Sequence, residues 1–162
     1  MKEQGEIHEA INHFNDAVRI NPEYEKAYYN IGTILADQGK TAEAISHYRK
    51  ALKISPEYDQ AHNNLANALL KLEKPDEALH HYSKALKIRP DYKKGHFNLK
   101  HYFLNQGNVD EAIKYYSAFL NNNPGCSPAH FNLAVFLAQK NMIPEAITHF
   151  FESLRNDPDN AE

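Results

Sequence analysis

The chain has 162 residues, 42% hydrophobic and 24% charged, close to the average soluble globular protein, which excludes a disordered tail and a fibrous protein. Lys and Arg total 18 against 21 Asp and Glu, a net charge of -3; nucleic-acid binders carry a basic excess because neutralised phosphates supply much of the affinity, so nucleic acid is disfavoured. The single Cys126 excludes an intramolecular disulfide and a paired-cysteine metal or redox site.

Five of the eight prolines, Pro22, Pro56, Pro90, Pro124 and Pro158, are each 34 residues from the next. Placing each at position 32 of a 34-residue unit divides the chain into a half repeat at 1–24, the second helix of an earlier unit, and full repeats at 25–58, 59–92, 93–126 and 127–160. Position 20 is then always Ala (Ala10, Ala44, Ala78, Ala112, Ala146), preceded by Glu, and position 24 is always aromatic (Phe14, Tyr48, Tyr82, Tyr116, Phe150).

In chain order, residues 6–20 read as a second helix without its own first. Residues 25–58 read as two amphipathic helices, the first with Ala27, Tyr28, Ile31, Gly32 and Leu35 on one face and the second with Ala44, Ile45, Tyr48, Ala51 and Leu52. Gly39 lies between them, where a helix C-cap wants a left-handed residue; Gly5, Gly107 and Asn141 fill that column elsewhere, and Glu73 breaks it. Residues 59–92 repeat the scheme with Leu65, Leu69, Ala78 and Tyr82, and Pro75 falls in the first turn of the second helix, where a missing N–H costs little. Residues 93–126 carry two departures, Lys100 for the small residue of position 8 and Phe119 for the Ala of position 27, which predict altered packing but not loss of the repeat. Residues 127–160 close the series with Leu133, Leu137, Pro144, Ala146 and Phe150.

The run Tyr28, Ile31, Gly32, Leu35, Ala44, Tyr48, Pro56 resembles the tetratricopeptide repeat (TPR), and the likeness spans essentially the whole chain. The resemblance implies an all-α fold, a right-handed α-solenoid or superhelix of helix-turn-helix repeats whose first helices line a concave groove. It also implies that first-helix positions 2, 5, 6, 9, 12 and 13 face that groove. Position 6 is Asn in every full repeat: Asn30, Asn64, Asn98 and Asn132. A carboxamide both donates and accepts, so a ladder of Asn can hold a peptide backbone whatever its side chains; the alternative is that the Asn bonds a neighbouring helix. Helices spaced ~8–10 Å apart against ~3.3 Å per extended residue put a rung at roughly every third peptide residue. This Asn stripe is similar to that of the superhelical TPR region of O-GlcNAc transferase. Position 5 supplies Tyr29, Asn63, Phe97 and Phe131, position 9 includes Asn67 and His101, and position 2 includes Lys26 and Lys94. Exposed aromatics at a groove centre serve as anchors, while packing within the repeat is the other role open to them. The Lys, Asn and Arg set of chaperone-binding relatives is incomplete here: Asn64 and Lys94 match, but no Lys stands at position 5 and no Arg at position 6.

Charge is uneven. Residues 84–101 hold Lys84, Lys87, Arg89, Lys93, Lys94 and Lys100 against Asp91, whereas 144–162 are acidic; an acidic partner segment and a solvated face are both readings of that contrast. Ten histidines include His62, His96 and His130 at position 4 and His13, His47, His81 and His149 at position 23. Members of one column lie a full repeat apart, too far for one metal, so a role at the edge of the core is expected. No catalytic, metal or cofactor motif occurs, and no enzyme activity is expected. The expected function is a scaffold that binds an extended or helical peptide segment of a partner protein in its groove; the alternatives are a substrate-recruiting arm of a larger enzyme such as a glycosyltransferase, and a self-assembling scaffold. Neither end carries the polar outer face of a capping repeat, which leads us to expect end-to-end homo-association. With no apolar run long enough for a membrane span and no signal-peptide pattern, the expected location is cytoplasmic.

Overall fold

The computed structural model describes residues 2–157, and helix alone makes up the regular structure among them. The helices are α1 (Lys2–Ile20), α2 (Glu25–Asp37), α3 (Thr41–Ile54), α4 (Asp59–Lys71), α5 (Pro75–Ile88), α6 (Lys93–Gln106), α7 (Val109–Asn122), α8 (Ser127–Gln139) and α9 (Ile143–Asn156). The chain forms two compact units, Met1–Ile88 with α1–α5 and Arg89–Glu162 with α6–α9.

In the first unit α2 pairs with α3 and α4 with α5; α1 packs on α2, α3 on α4, and the first helices α2 and α4 touch directly. Ala44 and Ala78 are fully buried in their hairpins, as are the rings of Tyr48 and Tyr82. The fit is tight enough that a Cβ on Gly32 would lie 2.8 Å from the Tyr48 ring and 3.3 Å from the Ala44 carbonyl oxygen. That contact is the physical reason for a small residue at position 8 of this repeat.

In the second unit α8 and α9 pair closely, α7 packs on α8, and α6 touches both α7 and α8. The α6–α7 hairpin is the looser one, and it holds both departures from the repeat pattern. Lys100 is half-buried at position 8, and Phe119 turns the ring that replaces Ala edge-on to His96, with centroids 5.3 Å apart. The core here is aromatic: Phe103, Tyr116 and Phe136 are fully buried and contact one another.

Four helices end in the same double hydrogen bond. Gly39, Glu73, Gly107 and Asn141 all have positive φ (76°, 57°, 68° and 61°). In each case their N–H reaches the carbonyl three residues back, and the next N–H reaches the carbonyl five residues back, as Glu73 to Leu70 and Lys74 to Leu69 do. Glu73, which breaks the column in sequence, therefore does not break the turn: two backbone hydrogen bonds hold a bulky residue in the left-handed region at some cost. Gly5 is not a cap, because α1 runs unbroken from Lys2.

Candidate functional site

The first-helix faces are built differently in the two units. In the first, Lys26 is exposed and Asn30 half-buried, its carboxamide making no hydrogen bond to another described residue. Tyr29 is held between repeats: its ring lies 5.0 Å from that of Tyr58 and 6.0 Å from that of Tyr48, and its hydroxyl accepts a hydrogen bond from the Asn64 amide at 3.1 Å. Asn64 is half-buried and its oxygen accepts from Asn63 at 3.2 Å. Asn63 itself is 0% exposed, so it braces Asn64 from inside and offers no surface. Asn67 is also occupied, its oxygen accepting the Tyr82 hydroxyl at 2.6 Å.

In the second unit the aromatic pair of position 5 is open, with Phe97 56% and Phe131 37% exposed. His101 is exposed and its ring sits 4.4 Å from Phe97, and Lys94 is exposed. Asn98 is half-buried. Asn132 is only 4% exposed; its amide donates to the His96 carbonyl at 3.1 Å and to the Tyr116 hydroxyl at 3.0 Å, stitching α8 to α6 and α7. The four position-6 asparagines are thus not equivalent rungs. Asn30 is open, Asn64 half-engaged, and Asn132 committed to the interior.

Position 9 has an inward role in two repeats that the groove assignment overlooks. In the first two full repeats the position-24 hydroxyl points back at it, so Tyr48 meets Thr33 at 3.4 Å and Tyr82 meets Asn67; in the third the Tyr116 hydroxyl turns instead to the His96 carbonyl and Asn132, and Phe150, which lacks the hydroxyl, shares its repeat with Val135. A buried hydroxyl needs a partner and a ring without one does not. Burial also pushes the Tyr48 and Tyr116 hydroxyls above the ordinary phenol pKa, keeping them protonated donors.

The histidine columns, read separately in sequence, meet in the structure. His62 of position 4 and His81 of position 23 face each other with Nδ1 atoms 2.9 Å apart, and His130 and His149 repeat that distance. The Nε2–H of His62 donates to the Pro56 carbonyl at 2.9 Å, and that of His130 to the Pro124 carbonyl at 2.8 Å. A carbonyl can only accept, so Nδ1 of each position-4 ring is the lone-pair partner and the position-23 ring donates. The spacing of 19 residues between position 4 and position 23 was the signal available for finding these pairs. Where the pairing is absent a nitrogen is orphaned: Nδ1 of His47, opposite Tyr28, and Nδ1 of His96, in the repeat with Tyr115 at position 23, have no partner. Burial lowers the pKa of His81 and of His96 to about 4. Each pair supplies two nitrogens, and no group of three or more His, Cys, Asp or Glu gathers for a metal among the described residues. The buried Cys126 thiol donates to the Pro90 carbonyl at 3.1 Å, and burial raises its pKa, so it is held as an unreactive thiol.

Helical hairpins of this kind, with an alternation of small and aromatic core positions at a fixed period, define a helical-repeat protein of the α-solenoid class. Three family models match: a tetratricopeptide repeat model over residues 23–91, a TPR repeat model over 2–39, and a further tetratricopeptide repeat model over 101–161. The chain belongs to the tetratricopeptide repeat family. No curated protein sequence matches it. Among solved structures, MamA is similar with a TM-score of 0.66 at 19% identity, covering 99% of this chain and 94% of that one. MamA residues 41 to the end from Desulfovibrio magneticus RS-1 give a TM-score of 0.63 at 19% identity, covering 99% and 90%. YrrB, described as a TPR protein with an unusual peptide-binding site, gives a TM-score of 0.61 at 24% identity, covering 98% and 82%. The fold is that of a protein-interaction scaffold, and no helix among the described residues is long and apolar enough to cross a membrane.

Proposed function

We propose that the chain is a non-enzymatic scaffold that holds a peptide segment of a partner protein against its first-helix faces. The observation that carries this reading is the carboxamide of Asn30, which is unpaired among the described residues, with Asn64 beside it on the adjacent first helix α4. A half-buried amide with no internal partner can offer both donor and acceptor to a backbone. The peptide-binding site named for YrrB supports the same use of the fold. The test is selection of peptides from a random displayed library on the full chain, followed by titration against Asn30→Ala/Asn64→Ala. The affinity of a selected peptide falls about tenfold or more; unchanged affinity removes the asparagine rungs from the account.

A second reading, homo-association, is supported by one feature of α9. Ile143, Ile147, Phe151 and Leu154 are exposed and recur every three or four residues, forming an apolar stripe along one face.

A further inference from the structure

We infer that the first-helix face of the second unit recognises an acidic peptide segment in which a carboxylate side chain stands next to an apolar one. The inference rests on the groove reading above and names the chemistry of its ligand. Lys100 is the residue that directs it. Position 8 holds Gly32, Ala66 and Ala134 in the other repeats, and packing at Gly32 shows why a small residue suits that place. Lys100 instead sends its ammonium toward the face: Nζ lies 5.6 Å from the Phe97 ring centroid and 5.4 Å from that of Phe131. With Pro128 and the edge of Asn132 these residues line a cavity of about 150 Å³.

Charge decides what fits there. Neither α6 nor α8 contains an Asp or Glu, while α6 contributes Lys93, Lys94 and Lys100. Lys93 is already matched, its ammonium 2.7 Å from the Asp157 carboxylate. Lys94 and Lys100 have no carboxylate partner among the described residues. A cation flanked by two aromatic faces keeps its affinity for an anion while losing part of its water shell, so an incoming carboxylate forms a charge-assisted hydrogen bond in a partly dry site. The exposed surfaces of Phe97 and Phe131 are left for an adjacent apolar side chain, and a basic residue is repelled. The first unit lacks this chemistry: Tyr29 is engaged, Asn63 is buried, and Gly32 and Ala66 carry no charge.

The test reads the peptides selected on the full chain. The sequences are expected to place Asp or Glu beside Phe, Leu, Ile or Tyr, and a consensus peptide is expected to lose about tenfold or more in affinity when its carboxylates become amides. Lys100→Met, which keeps the volume and removes the charge, loses a similar factor, and Lys100→Gln repeats the measurement should the thioether disturb the rings; circular dichroism confirms that both retain helix. Peptides without acidic residues, or affinity unchanged in both Lys100 variants, overturn the inference while leaving the groove reading intact. Failure to select any peptide overturns the groove reading and this inference with it.

Discussion

Asn132→Ala should destabilise the second unit by about 2–4 kcal/mol. The wild-type amide is 4% exposed and donates twice, to the His96 carbonyl at 3.1 Å and the Tyr116 hydroxyl at 3.0 Å. Each such bond contributes ~1 kcal/mol net, and the fully buried Tyr116 hydroxyl, left with only its long donation to the His96 carbonyl at 3.4 Å, adds a desolvation cost of about 1 kcal/mol for the lost donor. Asn64→Ala removes two part-buried bonds, its donation to the Tyr29 hydroxyl and its acceptance from Asn63, and should cost about 1–2 kcal/mol. Urea denaturation followed by far-UV circular dichroism measures both, and a cycle with Tyr116→Phe isolates the pair, with about 1 kcal/mol of coupling expected. A loss below about 0.5 kcal/mol for Asn132→Ala, or no coupling to Tyr116, would refute the claim that this asparagine is structural.

Three further outcomes follow from local geometry. Glu73→Gly should raise the urea midpoint, by about 0.5–1 kcal/mol in stability, because a non-glycine residue at φ 57° is strained by ~1–2 kcal/mol and glycine returns part of that as lost backbone entropy; a lower midpoint would contradict the strain. His81 and His96 are neutral in the folded state down to about pH 4, against an unfolded value of about 6.5, so their contribution to stability is complete above pH 6.5 and declines as pH falls toward 4. Imidazole NMR titrations showing either ring protonated near pH 6.5 in the folded chain would disprove it. Light scattering should report association that rises with concentration and is lost in Ile147→Glu/Phe151→Glu; a wild type that is monomeric at every concentration rejects the role of the α9 stripe.

The period of 34 made the helices, their pairing and the small and aromatic core positions readable from sequence, because each column answers to a contact within one hairpin or between neighbours. What the period conceals is where a polar side chain spends its hydrogen bonds. Asn30 and Asn132 share a column, yet one is open and the other is consumed by Tyr116 and a carbonyl of α6. The difference lies in the neighbours and not in the residue. His62 and His81 likewise look like members of two unrelated columns until the hairpin brings their rings to 2.9 Å. Glu73 fails in the opposite direction: its side chain is wrong for the turn, but the two carbonyls of α4 that the turn satisfies set the backbone regardless. Lys100 was legible as a departure, and its direction was not, since only the placement of Phe97 and Phe131 gives the ammonium somewhere to go.

The proposal that first-helix faces hold the ligand is tested most directly by side-chain amide NMR of the full chain during titration with a selected peptide. Within the unit that the peptide engages, first-helix signals are predicted to shift: the Asn30 and Asn64 carboxamides with backbone resonances of α2 and α4 in the first, and the Asn98 carboxamide with backbone resonances of α6 and α8 in the second. Shifts confined to α3, α5, α7 and α9 would contradict the account.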